Sequence, residues 1–216
     1  MSAPASELSS PLLDAYRMHP ARAGVDELID AGRPRPHTGE LAATIDGMGL
    51  GGLLAARAEA AGLVEDEGIT YGAASSGARM PWLVDPLPLP LDAADWPGLE
   101  RGLVQRARLL DAVMADLYGD RTLLRTRVLP PATILSHPGF TRPADRIEMP
   151  GRRQLVLTAT DLGRDASGAW RVISDRTQAP AGAGYAMATR RIVSRVLAGL
   201  HRSSDLARLR GFFHAM

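Results

Sequence analysis

The chain has 216 residues, 45% of them hydrophobic, and a formal net charge of +1. That is enough chain for one large domain, or one and a half ordinary ones, around a real core, and the near-neutral balance gives no footing for a nucleic acid or a membrane surface as partner. Every basic residue is arginine and there is no cysteine, which excludes lysine Schiff bases, lysine–phosphate contacts, disulfides, thiolate zinc sites and cysteine nucleophiles.

Met1–Pro11 is rich in Ser and Ala, with no basic n-region and no apolar core, so it does not read as a signal peptide. Residues 1–20 are expected to form a disordered or weakly ordered lead-in, with a helical turn or two over Leu12–Met18. No apolar run approaches the roughly 18 residues of a membrane span, and a cytoplasmic protein is the expectation. Gly32-Arg33-Pro34-Arg35-Pro36-His37 is extended, since each proline restrains the residue before it.

Glu40–Ala61 reads as helix, with Leu41, Ile45, Leu53, Leu54 and Ala58 spaced for one face and a break expected near Gly49–Gly52. The glycine run there lacks both a preceding strand and a Gly-Lys-Ser/Thr ending, so it is not read as a phosphate loop. Gly68–Gly72 is a short strand, and Ala73–Arg79 a loop of small residues. Pro81–Pro90 is too rich in proline for a central strand and is expected along a sheet edge, anchored by Trp82.

Asp92–Tyr118 is the clearest helix, with Asp92 or Asp95 as cap and Pro97 in its first turn. Most of its polar residues, Asp111 among them, read as a solvated face, while Gln105-Arg106 could face a ligand, though nothing in the spacing requires it. Short helices follow over Arg121–Arg125 and Ala132–Leu135, then a loop, Ser136–Pro143, in which His137 and Arg142 are candidate ligand contacts.

Leu155–Leu162 alternates and is rich in Val, Leu and Thr; Trp170–Ile173 is a second apolar run; Arg164–Gly168 between them is a turn cluster, so the pair reads as a hairpin. Asp161 stands near the end of the first strand and Asp175 just past the end of the second, ahead of the small-residue loop Ala179–Gly184 and a helix over Tyr185–His201. Two carboxylates beside a glycine loop can hold a divalent cation and an oxyanion. The structural alternative is that Asp175 pairs with Arg176 or a neighbouring arginine.

An ordered set of motifs covers most of the chain from about residue 25. It comprises Asp26-Glu27 with Gly32–His37, Gly68–Tyr71, Pro81–Pro88, Trp96, Glu100–Ala107, Asp116–Gly119, His137–Phe140 and Asp175-Arg176-Thr177-Gln178-Ala179-Pro180-Ala181-Gly182-Ala183-Gly184-Tyr185. The set resembles the circularly permuted ATP-grasp family (type 2), bacterial proteins often encoded beside an all-helical partner. The resemblance implies an α+β fold over residues 21–216, a mixed sheet with a β-hairpin and surrounding helices, as the N-terminal part of such a domain. It implies ATP and Mg2+ as cofactors, and a carboxylate–amine (peptide-bond-forming) ligase that works through an acyl phosphate. The implied partners are the remaining ATP-grasp chain or a helical protein.

The same resemblance implies roles residue by residue. Asp161 and Asp175 are the expected metal ligands. Arg176, Gln178, Gly182 and Gly184 are the expected catalytic groups, and Arg142, Arg190 and His37 the expected substrate or phosphate contacts. Many members carry Glu, Asp, Asn and Arg where this chain has Ser174, Asp175, Arg176 and Gln178. Arg176 therefore puts a fixed cation where a metal ligand is expected. The family's nucleotide-clamping Lys-Pro strand and glycine-rich flap have no counterpart here, so the chain is expected to be truncated. Two readings follow: a ligase, or a non-catalytic binding or scaffold module of the same fold that docks a partner protein.

Overall fold

A computed structural model describes residues 11–17, 25–72, 77, 79–147 and 150–215. The lead-in expected over 1–20 lies outside the described residues except for 11–17, and the loop expected over Ala73–Arg79 lies outside them except for Gly77 and Arg79. The chain divides into two compact units, residues 1–93 with 166–168 and 181–215, and residues 94–165 with 169–180.

The first unit begins with helix α1 (Pro11–Arg17) and a tight antiparallel pair, β1 (Ile29–Asp30) and β2 (Arg33–Pro34). The Asp26 carboxylate organises this corner by accepting the backbone N–H groups of Leu28 and Ile29 at 2.9 and 3.0 Å. Thr38 is fully buried, and its hydroxyl donates to the Leu28 carbonyl at 2.7 Å, so the burial leaves no polar group unmet.

Helix α2 (Gly39–Asp66) follows and bends at Gly49, where φ is 59° and ψ −176°. The expected break is therefore real, and it falls on a residue that can adopt the left-handed region without a Cβ clash. Two apolar clusters form along α2. Leu13, Ile29, Leu41, Ala42 and Ile45 make the first, and Ala60, Val64 and Ile192 the second.

Strands β3 (Thr70–Tyr71) and β4 (Met80–Pro81) pair antiparallel. Just past β4, Trp82 stacks on Tyr185 with ring centroids 4.3 Å apart, meets Tyr71 edge-on at 5.9 Å and donates its indole N–H to Thr189 at 3.1 Å. The Tyr185 hydroxyl donates to the Thr70 carbonyl at 2.7 Å. Trp82 is thus the apolar anchor its segment was expected to carry, and it fastens helix α6 (Ala183–Val196) to the β3–β4 pair. Helices α7 (Ala198–Ser203) and α8 (Arg210–His214) complete this unit. The helix expected over Tyr185–His201 is thus two helices that meet at Leu197, whose φ of −113° and ψ of 51° are non-helical.

The second unit is built on α3 (Trp96–Tyr118), with the short helices α4 (Thr122–Arg125) and α5 (Pro131–Leu135) after it. Asp116 joins α3 to α4, its carboxylate accepting the N–H groups of Thr122 and Leu123 at 2.8 and 2.9 Å. Those donors hold its pKa below the usual carboxylate range, Leu123 contributing most. The Tyr118 ring stacks on Phe140 at 5.0 Å, and its hydroxyl accepts the Thr141 N–H at 2.9 Å. The hairpin is present, with β5 (Ala159–Arg164) antiparallel to β6 (Trp170–Arg176). Both strands run further toward the chain's C-terminus than expected, so Asp161 and Asp175 lie inside the ladder rather than at its ends.

The α+β reading holds as helices with small antiparallel ladders. A mixed sheet does not form among the described residues, because each strand has a single antiparallel partner. Proline explains part of this: Pro34 and Pro81 carry no N–H for a further ladder bond, and Pro86, Pro88 and Pro90 keep the segment after β4 out of strand pairing. Among the described residues no helix is long and apolar enough to cross a membrane.

Candidate functional site

The β5–β6 hairpin has two chemically different faces. Side chains alternate along a strand, so neighbours in sequence point to opposite sides and cross-strand partners share one. Asp161 is registered with Ser174, Thr160 with Asp175, and Ala159 with Arg176. One face therefore carries Asp161, Ser174 and Arg176, and the other carries Thr160 and Asp175.

The hydrogen bonds agree with this division. Ser174 Oγ donates to Asp161 Oδ2 at 2.6 Å, and Arg176 Nη2 donates to Asp161 Oδ1. On the other face Thr160 Oγ1 donates to Asp175 Oδ1 at 3.0 Å. Arg106, reaching from α3, grips the same carboxylate, its Nε donating to Oδ1 at 2.9 Å and to Oδ2 at 2.7 Å, and its Nη2 standing 2.6 Å from Oδ2. Asp175 is 13% exposed, whereas Asp161 and Arg176 are 41% and 58% exposed. The Arg106 guanidinium, with Thr160 second, holds the Asp175 carboxyl below the usual carboxylate range, and Asp175 in turn raises Arg106.

Ladder register shifts between Asp161 and Leu162, where Ile173 is the extra residue and Leu162 is paired with Val172. Ile173 is 71% exposed, and its Cδ1 would lie 2.9 Å from a Cβ at Gly163, so a side chain at 163 would press on it. The face toward α3 continues through Leu162, Val172, Arg164 and Trp170. Asp95 Oδ2 accepts from Arg164 Nη2 at 2.6 Å and from the Trp170 indole N–H at 3.0 Å. Asp95 is therefore an anchor for the hairpin and makes no side-chain cap on α3. A cleft of about 650 Å³ runs between α3 and this face, lined by Leu99, Leu103, Arg106, Leu162, Trp170 and Val172 among others.

The two carboxylates expected to share a metal do not converge, because they occupy adjacent registers on opposite faces. Each already accepts bonds from an arginine and a hydroxyl. Among the described residues no group of three or more His, Asp or Glu side chains is placed to hold a metal ion. Magnesium asks for several hard oxygen ligands and room for water, so these residues do not fit it.

The other expected site residues divide between the two units. Gln178 is exposed in the loop after β6. Arg142 turns back on its own loop, 3.5 Å from the Leu135 carbonyl, and His137 Nδ1 accepts the Gly139 N–H at 3.0 Å, so both serve loop geometry. Gly182, Gly184, Arg190 and His37 belong to the first unit. There Gly182 caps α6 with φ of 123°, and Gly184 sits in that helix's first turn. Arg190 donates to the Ala207 carbonyl. His37 Nδ1 stands 3.5 Å from Asp92.

Arg106 and Asp95 were legible only in part. They are 11 residues apart, three helical turns, which puts them on one side of α3, but nothing in that spacing names the hairpin as what they face. Asp111 lies on the face of α3 that its spacing makes solvated. Its carboxylate instead accepts the N–H groups of Gln154 and Leu155 at 2.7 and 2.8 Å and pins the segment that leads into β5.

Comparison with known proteins bears on these motifs directly. The model of the family described as circularly permuted ATP-grasp type 2 matches residues 88–216. An uncharacterized protein of Mycobacterium tuberculosis (strain ATCC 25618 / H37Rv) is 46% identical over 190 residues, which cover 83% of this chain and 22% of that protein. A second uncharacterized protein of the same strain is 37% identical over 148 residues, 68% of this chain and 26% of its own. A protein of Frankia casuarinae named putative glutamate–cysteine ligase 2-2 is 31% identical over 215 residues, 97% of this chain and 24% of its own. The chain thus spans about a quarter or less of the length of these curated relatives.

Proposed function

This chain belongs to the circularly permuted ATP-grasp type 2 family, and from that premise we propose that the protein is an ATP-dependent ligase that joins a carboxylate to an amine. Family membership is the observation that carries the reading. The relative whose printed name is a glutamate–cysteine ligase supports the carboxylate–amine class.

The chemistry balances in two steps. The carboxylate oxygen attacks the terminal phosphorus of ATP, giving an acyl phosphate and ADP. The amine then attacks the acyl carbon, phosphate leaves with the carbon–oxygen electron pair, and the amine gives up a proton. Both steps gather negative charge on oxygen, which fixed cations and backbone N–H groups stabilise best when already in place. In this chain Arg176 offers an exposed guanidinium, and Gly182 and Gly184 offer backbone at the start of α6. On the same reading Gln178 belongs with Arg176 as a catalytic group, and Arg142, Arg190 and His37 are taken one by one as candidate substrate or phosphate contacts. No step is assigned to a metal held by Asp161 and Asp175, whose geometry does not fit one.

One observation favours a second reading, a binding module that docks a partner protein: both hairpin carboxylates are already paired with arginine. The deciding experiment measures phosphate release from ATP by the protein with panels of carboxylates and amines. A ligase releases phosphate only when both co-substrates are present and loses that activity in Arg176→Ala. Absence of turnover across the panel, with partner capture unchanged in Arg176→Ala, would sink the ligase reading and leave the module.

A further inference from the structure

We infer that Arg176 closes Asp161 to divalent cations, so that the hairpin is a metal-free ion-pair face in this chain. This is a statement about the chain's own side chains and stands apart from the ligase reading. Any divalent ion the protein uses is then held by other groups.

Four observations lead there. First, all four carboxylate oxygens are committed to donors. Asp161 Oδ1 accepts from Arg176 and Oδ2 from Ser174, while Asp175 Oδ1 accepts from Thr160 and Arg106, and Oδ2 from Arg106. Second, strand alternation puts the two carboxylates on opposite faces, so no single ion reaches both. Third, Asp175 lies under Arg106 with 13% of its side chain exposed, too little for an ion that keeps several of its waters. Fourth, the pair Asp161–Arg176 is neutral, so the outer face offers a divalent ion no net attraction, and a single carboxylate is a poor magnesium ligand by itself.

The tether decides the competition at Asp161. Arg176 is two residues along the same strand from Ser174, the cross-strand partner of Asp161, and its guanidinium is present at a high effective concentration whatever the solution holds. A free ion must displace it and then sit beside the displaced positive charge.

The test is a titration of Mn2+ into the 15N-labelled chain, following paramagnetic broadening of backbone amide signals. In the wild type the signals of Asp161, Leu162 and Ser174 should lose intensity no faster than that of Glu100, an exposed carboxylate on α3. Arg176→Met keeps an unbranched, mostly apolar stem and removes the guanidinium with its charge. It should show selective broadening centred on Asp161 at an Mn2+ concentration lower by about tenfold, the factor that repulsion between a divalent and a monovalent cation across roughly 5 Å of water is worth. Adding Asp161→Asn to Arg176→Met should abolish that selectivity.

Selective broadening at Asp161 in the wild type overturns the inference, and this reading stands even where the Met variant fails to fold. Equal indifference to Mn2+ in a folded Arg176→Met also overturns it, since Arg176 would then not be what closes the site. Neither result bears on carboxylate- and amine-dependent phosphate release, which is measured separately.

Discussion

Replacing Ile192 with alanine should destabilise the first unit by about 2.5–4.5 kcal/mol, and the figure follows from its packing. Ile192 is 0% exposed and packs in one cluster with Ala60 and Val64 of α2. Three carbon groups are lost, each worth about 0.8 kcal/mol of transfer, or roughly 2.4 in all. If the surroundings did not relax, the hole of roughly 80 Å³ would add about 2 kcal/mol more at ~24 cal/mol per Å³. Ile192→Val removes one group and should cost about 1–1.5 kcal/mol. Urea unfolding reads the difference. Trp82 leans on the same cluster, and its fluorescence, isolated by Trp96→Phe and Trp170→Phe, reports this unit. With a slope of about 1–3 kcal/mol per molar urea, the Ala midpoint should fall by about 1 M or more. A loss under about 1 kcal/mol, or a Val variant as damaged as the Ala variant, would refute the packing argument, because neither transfer nor cavity scaling produces it. The consequence reaches the glycine loop, since Ile192 lies in the helix that Gly182 and Gly184 begin.

Asp175 gives the second unit an acid-sensitive joint. Its pKa in the folded chain is depressed, so its contribution is present above the unfolded value of about 3.9 and is lost as pH falls through the folded value. Asp116 acts in the same direction. Asp175→Asn should therefore unfold more easily than the wild type near neutral pH and show a shallower loss of stability below about pH 4; thermal melts across that range check it, and parallel pH profiles would refute it. Gly119 and Gly163 separate backbone from side-chain crowding. A Cβ at Gly119 would stand 2.8 Å from the Ala115 carbonyl oxygen, which cannot move freely, so Gly119→Ala should cost about 1–3 kcal/mol. At Gly163 the obstacle is the tip of exposed Ile173, so Gly163→Ala should cost under about 1 kcal/mol, and denaturation midpoints should rank the two that way.

Local signals carried the elements. Pro97 in the first turn and the apolar spacing up to Leu117 predicted α3, and the apolar spacing from Leu41 with the glycines after Gly47 predicted α2 with its bend. The turn cluster at residues 164–168 predicted the hairpin. Each of these depends on neighbours within a few residues. The expected mixed sheet failed because strand partners are long-range, and the only pairings observed among the described residues are short antiparallel ones. The separation of the two carboxylates escaped the sequence for a related reason. Asp161 and Asp175 were placed together as strand-end carboxylates, yet the ladder extends past both, and a shift of one register sends a side chain to the other face.

That single register separates two chemistries. Had Asp161 been opposite Asp175, two carboxylates would have shared a face and repelled, and a cation between them would have been the natural remedy. Instead Asp161 faces Ser174 and Asp175 faces Thr160, so each carboxylate meets a hydroxyl across the ladder and an arginine beside it. The charges are neutralised pair by pair with groups the chain itself supplies. The arginines are not equivalent, however. Arg106 comes from α3 and grips the half-buried Asp175 through two nitrogens, which suits a fixed joint. Arg176 stands on the exposed face, gives Asp161 one nitrogen and is itself 58% exposed. The joint that holds the hairpin and the exposed cation are therefore different residues. A substitution at Arg106 should act on stability first, and, on the ligase reading we propose, one at Arg176 on turnover first.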